Sequence, residues 1–128
     1  MEREDVQRWL DAYVAAWKSY DREAIAALFA ADVSYRYHPY DEPVRGRDAV
    51  VATWLGEGDH EMASARDEPG TYDASYTPVA VDGDVAVAVG ESRYTNPETI
   101  YDNCYLMRFD AEGRCAEFTE FFMKRETE

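Results

Sequence analysis

The sequence predicts an α+β cone: a curved antiparallel β-sheet wrapped around helices that come first in the chain. Three observations predict it. Helical periodicity is confined to the segment before Gly56, four long alternating segments follow Gly70, and hydrophobic residues make up 46% of 128 residues, enough to bury a core. Aromatics reach 14%, with ten Tyr and three Trp. These side chains have a polar end that needs a partner when buried, which suits a wet cavity or an interface. Residues 1–128 are expected to form one domain, in the order helix, helix, strand, helix, then four strands.

Val6, Trp9, Leu10, Tyr13, Val14 and Trp17 recur at helical spacing and predict an amphipathic helix from about Arg3 to Ser19. Asp21 is placed as the N-cap of a second helix that carries Ile25, Leu28 and Phe29. Asp32 opens an extended run, Val33 to His38, rich in β-branched and aromatic residues. Pro39 and Pro43 force a turn that Gly46 closes, and a third helix runs from Asp48 to Leu55. Gly56 to Gly70 reads as a loop. The four strands are then separated by Asp82-Gly83, Asn96-Pro97 and Ala111-Glu112-Gly113, the first of these a strong hairpin signal.

The net charge of -14 disfavours nucleic acid and anionic membrane surfaces as partners, and its simplest reading is a solvated outer surface. No apolar run reaches the roughly 18 residues that span a bilayer, and the N-terminal segment is charged rather than signal-like. The cytoplasm is the expected location. Cys104 and Cys115 lie in no C-x-x-C spacing, and free thiols are expected.

Pairing Asp110 with Gly113 across the last turn would set Asn103 opposite Glu120, Tyr105 opposite Phe118 and Tyr101 opposite Phe122, all on the face the helices cover. On the preceding strand Ala86, Ala88, Gly90, Ser92 and Tyr94 form a small-residue face that leaves room for a ligand. Val85, Val87 and Val89 point the other way. An apolar stripe on that outer face predicts a homodimer built across it.

Three segments carry a resemblance: Y-V-A-A-W-x-x-x-D-x-x-A-I-A-A-L-F-A-x-D (Tyr13 to Asp32), P-x-D-E-P-V-R-G (Pro39 to Gly46) and F-D-x-E-G-R with F-x-E-x-F (Phe109 to Phe122). In these the chain resembles the nuclear transport factor 2-like (cystatin-like) superfamily, in its SnoaL-like polyketide-cyclase and ketosteroid-isomerase branch. The resemblance implies the cone fold. It leaves function open, because the fold hosts isomerases, cyclases, dehydratases, epoxide hydrolases and binders without turnover. Tyr13 matches the helix tyrosine that donates to the oxyanion in ketosteroid isomerases. Their general-base aspartate precedes a proline; His38 stands there if one residue is inserted upstream, and Tyr37 if none is. Tyr105 stands for their protonated aspartate. Two of the three positions therefore change chemical type.

His38 leads the catalytic candidates because imidazole takes and returns protons near neutral pH; its structural alternative is a hydrogen bond to Asp41. Glu120, among Phe118, Phe121 and Phe122, would have a raised pKa unless paired, with Arg36 or Arg93 as the structural partner. Asn103 would orient Glu120 or bind a ligand carbonyl. Trp17, Tyr35, Trp54, Tyr76, Tyr94, Tyr105, Phe118 and Phe122 would line the cavity for a small hydrophobic molecule, although aromatics at such spacing also serve as plain core. The distant His38 and His60 predict no metal site, despite Asp59 and Glu61 beside the latter. No nucleophile motif or glycine-rich phosphate loop appears, so no cofactor is expected. The functional expectation is cofactor-independent proton transfer next to a carbonyl, as in an isomerase, cyclase or dehydratase. The alternatives are a ligand-binding or accessory domain without turnover, or a dimerisation domain whose cavity is plugged.

Overall fold

The computed structural model describes residues 1–57, 67–95 and 98–126. Helix α1 (Arg3–Ser19) opens with a capping box formed by Glu2 and Asp5 and buries Val6, Trp9, Leu10, Tyr13 and Ala16. It ends at Tyr20, whose left-handed backbone (φ 51°) returns its N–H to the Ala16 carbonyl at 2.8 Å. The Asp21 side chain accepts from the Glu23 N–H at 3.0 Å and starts α2 (Arg22–Ala26).

Helix α2 is shorter than its apolar spacing predicts. Leu28 lies beyond it, and Phe29 already belongs to strand β1 (Phe29–Arg36). The Leu28 carbonyl accepts from the Trp9 indole N–H (3.0 Å) and from the Cys115 N–H (2.9 Å). Helix α1 and the sheet thus capture the backbone before another helical turn forms. Strand β1 also ends sooner than the expected His38, since Tyr37 and His38 bend ahead of Pro39. Strand β2 (Val44–Arg45) leads through Gly46 into α3 (Arg47–Trp54). Strands β3 (Tyr72–Asp82), β4 (Val85–Tyr94), β5 (Thr99–Phe109) and β6 (Cys115–Lys124) follow. The Gly56–Gly70 loop and the Asn96-Pro97 turn lie partly or wholly outside the described residues.

The strands form one curved, open sheet in the order β2-β1-β6-β5-β4-β3. The last four strands make the expected antiparallel meander, while β1 joins β6 in parallel, so the sheet is mixed. The β5–β6 register differs from the sequence expectation. Asn103 faces Phe122, Tyr105 faces Glu120, Met107 faces Phe118 and Tyr101 faces Lys124. Asp110 is the reason: its carboxylate accepts the N–H groups of Glu112 and Arg114, both at 2.9 Å, and widens the turn. A bulge beside Phe109 adds a further step. Side chains alternate faces with period two, so a displacement of two leaves every residue on its predicted face.

The core lies between this inner face and the helices. Phe29, Val33, Ile25, Ala88, Phe118 and Cys115 are completely covered. The outer face is different: Val85, Val89, Leu106, Phe121 and Met123 are exposed, beside the half-buried Cys104 and between the charged Arg125–Asp102 and Arg108–Glu117 pairs. Cys104 and Cys115 are free thiols. Among the described residues no helix is long and apolar enough to cross a membrane.

Candidate functional site

A cavity of about 520 Å³ opens between α1, α3, the end of β1 and the inner face of β3–β6. Helix α1 contributes Tyr13 and Trp17, β1 Tyr35, and α3 Thr53 and Trp54. The sheet contributes Tyr76, Ser92, Tyr94, Tyr101, Asn103, Tyr105, Glu120 and Phe122. Ten of the twelve candidate residues therefore border one space. Phe118 does not: it is fully buried, with Tyr35 stacked on it at 4.6 Å and Tyr13 at 5.7 Å. It supports the cavity floor.

His38 is the other exception. The bend before Pro39 turns it away from the lining, where Tyr37 takes the place on the cavity side. The His38 Nδ1 lies 2.7 Å from an Asp41 carboxylate oxygen, and its ring packs between Tyr40 (5.2 Å) and Phe122 (5.1 Å). Phe122 lines the cavity, so His38 bears on it only through that ring. Asp59, His60 and Glu61 lie outside the described residues, and among those described no cluster of three or more potential metal ligands forms.

Glu120 projects from β6 toward Tyr105 on the cavity side. No described residue donates a hydrogen bond to it or pairs with it. Arg36, one anticipated partner, donates instead to the Asp41 carbonyl at 3.2 Å, and Arg93, the other, pairs with Glu91 at 2.9 Å. Burial alone pushes the Glu120 carboxyl up to about 8, because removing the ionised form from water is costly when nothing compensates. Its neighbours are phenols from five elements, Tyr13, Tyr35, Tyr76, Tyr94 and Tyr105, and from the bend after β1, Tyr37. All are raised, first by burial, and the charge of Glu120 adds to the effect in each. They remain protonated donors at any physiological pH.

Two hydrogen-bonded groups organise these donors. The Tyr13 and Tyr35 hydroxyls lie 3.2 Å apart, with the Tyr13 ring fixed by Trp9, Trp54, Tyr105 and Phe118. Ser92 donates to the Asn103 carbonyl oxygen at 2.9 Å, so the Tyr76 hydroxyl donates to Ser92 across their 2.7 Å contact. Asn103 thus has its carbonyl engaged, and its amide nitrogen has no partner among the described residues. The room expected over Gly90 is taken by Tyr76, whose ring covers it.

A third group closes the end near the C-terminus of α1. The Trp17 indole N–H is shared between Tyr20 Oη (3.1 Å) and Asp67 Oδ2 (3.2 Å), and the Asp67 N–H donates to Tyr20 Oη at 3.0 Å. Tyr20 is the sole non-glycine residue with positive φ among those described, and its left-handed backbone aims the phenol at Asp67. Tyr20 and Asp67 join the lining without a sequence signal, since a helix cap and the end of a loop have no periodicity. Ser92 and Tyr101, by contrast, were legible as inner-face positions.

The sequence finds no significant match among curated proteins. Solved structures share its fold at low identity. An NTF-2 like protein of unknown function from Burkholderia xenovorans LB400 is 17% identical with a TM-score of 0.70, covering 98% of this chain and 88% of that one. An LEH-like epoxide hydrolase from M. tuberculosis is 15% identical with a TM-score of 0.66, covering 96% and 86%. The SnoaL-like domain family matches residues 10–118. With its N-terminal helices and curved six-stranded sheet, the chain belongs to the SnoaL-like domain family of the nuclear transport factor 2-like superfamily.

Proposed function

We propose that this protein binds a small hydrophobic carbonyl compound in the cone and moves a proton at the carbon beside the carbonyl, without a cofactor, as an isomerase, cyclase or dehydratase does. The observation that carries this reading is the uncompensated Glu120 carboxyl facing a cavity ringed by phenol donors. In its ionised form Glu120 takes the α-proton. The C–H electron pair passes into the enolate, whose oxygen accepts from the Tyr13 hydroxyl, and the protonated Glu120 then returns the proton at the same or another carbon. Tyr35 holds the Tyr13 hydroxyl in place, and the Asn103 amide nitrogen orients a second polar group of the ligand. His38 acts at a distance by packing Phe122 against the ligand.

The test is deuterium incorporation into the acetyl group of 6-tert-butyl-2-acetylnaphthalene in D₂O, followed by NMR. Exchange is expected to rise with pH and level off above about 8, where Glu120 is ionised. Glu120→Gln should lower it by about 10²- to 10⁴-fold. Exchange no faster than in buffer, or unchanged in the variant, overturns the reading. The same cavity would then belong to a binding or accessory domain, which the ties of His38 to Asp41 and of Asn103 to Ser92 would fit.

The exposed outer face supports the accompanying expectation of a homodimer. Val85, Val89, Leu106 and Phe121 form an apolar surface ringed by charge, a pattern that favours a second copy of the same face. Phe121→Glu is expected to move the light-scattering mass from about twice 14.7 kDa to 14.7 kDa. An unchanged mass would discard this face as the interface. Free Cys104 and Cys115 fit a reducing cytoplasm.

A further inference from the structure

The cavity has an electrostatic asymmetry that its phenols conceal. Among the described lining residues there is no Lys, Arg or His, yet there are two carboxylic acids, Glu120 and Asp67. Neither forms an ion pair with a described residue. Asp67 is held by one oxygen only: Oδ2 accepts from Trp17 (3.2 Å) and Tyr20 (3.3 Å), while Oδ1 accepts no hydrogen bond from a described residue. Aromatic rings lie close to it: Trp17 meets it with the indole N–H edge, and the charge of Asp67 acts on the phenols of Tyr72 and Tyr94. Trp17 packs on Tyr72 at 4.6 Å and on Tyr94 at 6.1 Å, and Tyr94 meets Tyr101 at 5.9 Å. A carboxylate with a free oxygen among electron-rich rings attracts a desolvated cation and repels an anion.

We propose that this end of the cavity is an ammonium subsite, and that the ligand is a hydrophobic carbonyl compound with a protonated or quaternary amine. Asp67 supplies the counter-charge, and the rings of Trp17 and Tyr94 beside it, with Tyr101 further along the same lining, supply the aromatic wall. The proposal rests on the cavity being the ligand site, and it sets the ligand's orientation. Tyr13, the oxyanion donor, precedes Trp17 on α1 by four residues, about 6 Å of rise. The amine therefore sits at the Trp17 end and the carbonyl beside Tyr13 and Glu120, with an apolar ring system between them against Trp54 and Tyr76. Both acids stay useful in this arrangement: Asp67 binds the cation, and Glu120, with no cation held against it, stays available to take and return the α-proton.

The experiment compares 2-acetylnaphthalenes that carry at position 6 a trimethylammonium, a tert-butyl or a sulfonate group. The first two have nearly the same shape and differ in charge. Titration calorimetry on the full chain is expected to give a Kd for the trimethylammonium probe about tenfold or more below that of the tert-butyl probe, with the sulfonate weakest. Asp67→Asn should reduce the ammonium-to-tert-butyl ratio to less than about threefold, with near-ultraviolet circular dichroism confirming an intact aromatic core. Equal or tighter binding of the tert-butyl probe overturns the proposal. So does a ratio that Asp67→Asn leaves unchanged, or the absence of binding by any probe. The two readings fail separately. Selective ammonium binding without acetyl exchange leaves the subsite standing and removes proton transfer; exchange without ammonium selectivity does the reverse.

Discussion

Replacing Glu120 by Gln is expected to make the protein more stable above neutral pH while removing its proton chemistry. The carboxyl rises from an ordinary 4.5 to about 8 through burial alone. Below about pH 4.5 the group is protonated in both folded and unfolded chains and contributes nothing to the difference. Between 4.5 and 8 the folded protein holds a proton that the unfolded chain has released. Stability therefore falls as pH rises, by about 1.4 kcal/mol per pH unit. Above about 8 both forms are ionised, and the accumulated loss is on the order of 5 kcal/mol. Gln keeps the shape and cannot ionise. Urea unfolding of both proteins from pH 4 to 9 should give curves that diverge with pH, the variant ahead by about 3 kcal/mol or more at pH 9. Parallel curves would mean that Glu120 is compensated in solution. A side chain kept at such a cost to stability is an argument for a role in function.

Gly90→Ala is expected to destabilise the protein by about 3 kcal/mol, read as a lower urea midpoint, and to break the Tyr76–Ser92–Asn103 hydrogen bonds. Gly90 faces Tyr76 across the β3–β4 pair. A Cβ built there would lie 2.0 Å from the Ser75 carbonyl oxygen, 2.7 Å from Tyr76 Cα and 2.6 Å from Tyr76 Cδ1. Two of those atoms are backbone, so relief requires the strands to separate rather than a side chain to rotate. Tyr76 would lose the floor on which its ring rests, and with it the position from which its hydroxyl donates to Ser92. Intact stability in Gly90→Ala would show that β3 can shift without loss. The small-residue run Ala86, Ala88 and Gly90 is thus partly a seat for an aromatic ring rather than free volume.

What the chain states about itself follows the range of each signal. The limits of α1 and the Asp21 cap are local, and both were legible from spacing and capping chemistry. Which residues of β4–β6 face the cavity was also legible, because alternation survives a displacement of two. Which residue opposes which was not, since Asp110 sets the turn through side-chain bonds that no periodicity encodes. Phe29 reads as helical by spacing but is strand, because Trp9 and Cys115, distant in sequence, hold the preceding carbonyl. His38 stands out in the sequence as a rare imidazole beside an acidic turn. Its distance from the lining depends on the direction of one bend. Tyr20 and Asp67 meet only after folding, through an indole three residues before the end of a helix turn.

The parallel pairing of β1 with β6 has a consequence for how the molecule is made. Tyr35 lies beside Phe118, and Phe29 beside Cys115, so each contact spans more than 80 residues of chain. At about 5–20 residues per second, β1 emerges from the ribosome on the order of ten seconds before its partner. Until then its one sheet neighbour is the two-residue β2. The wall that brings Tyr35 beside Glu120 is the last part of the cone to close, with a high loop-closure cost. During biosynthesis the cavity therefore does not exist as a partial site that gains affinity gradually. It appears when the C-terminal strand arrives, and a nascent chain stalled before Phe118 presents the inner edge of β1 uncovered.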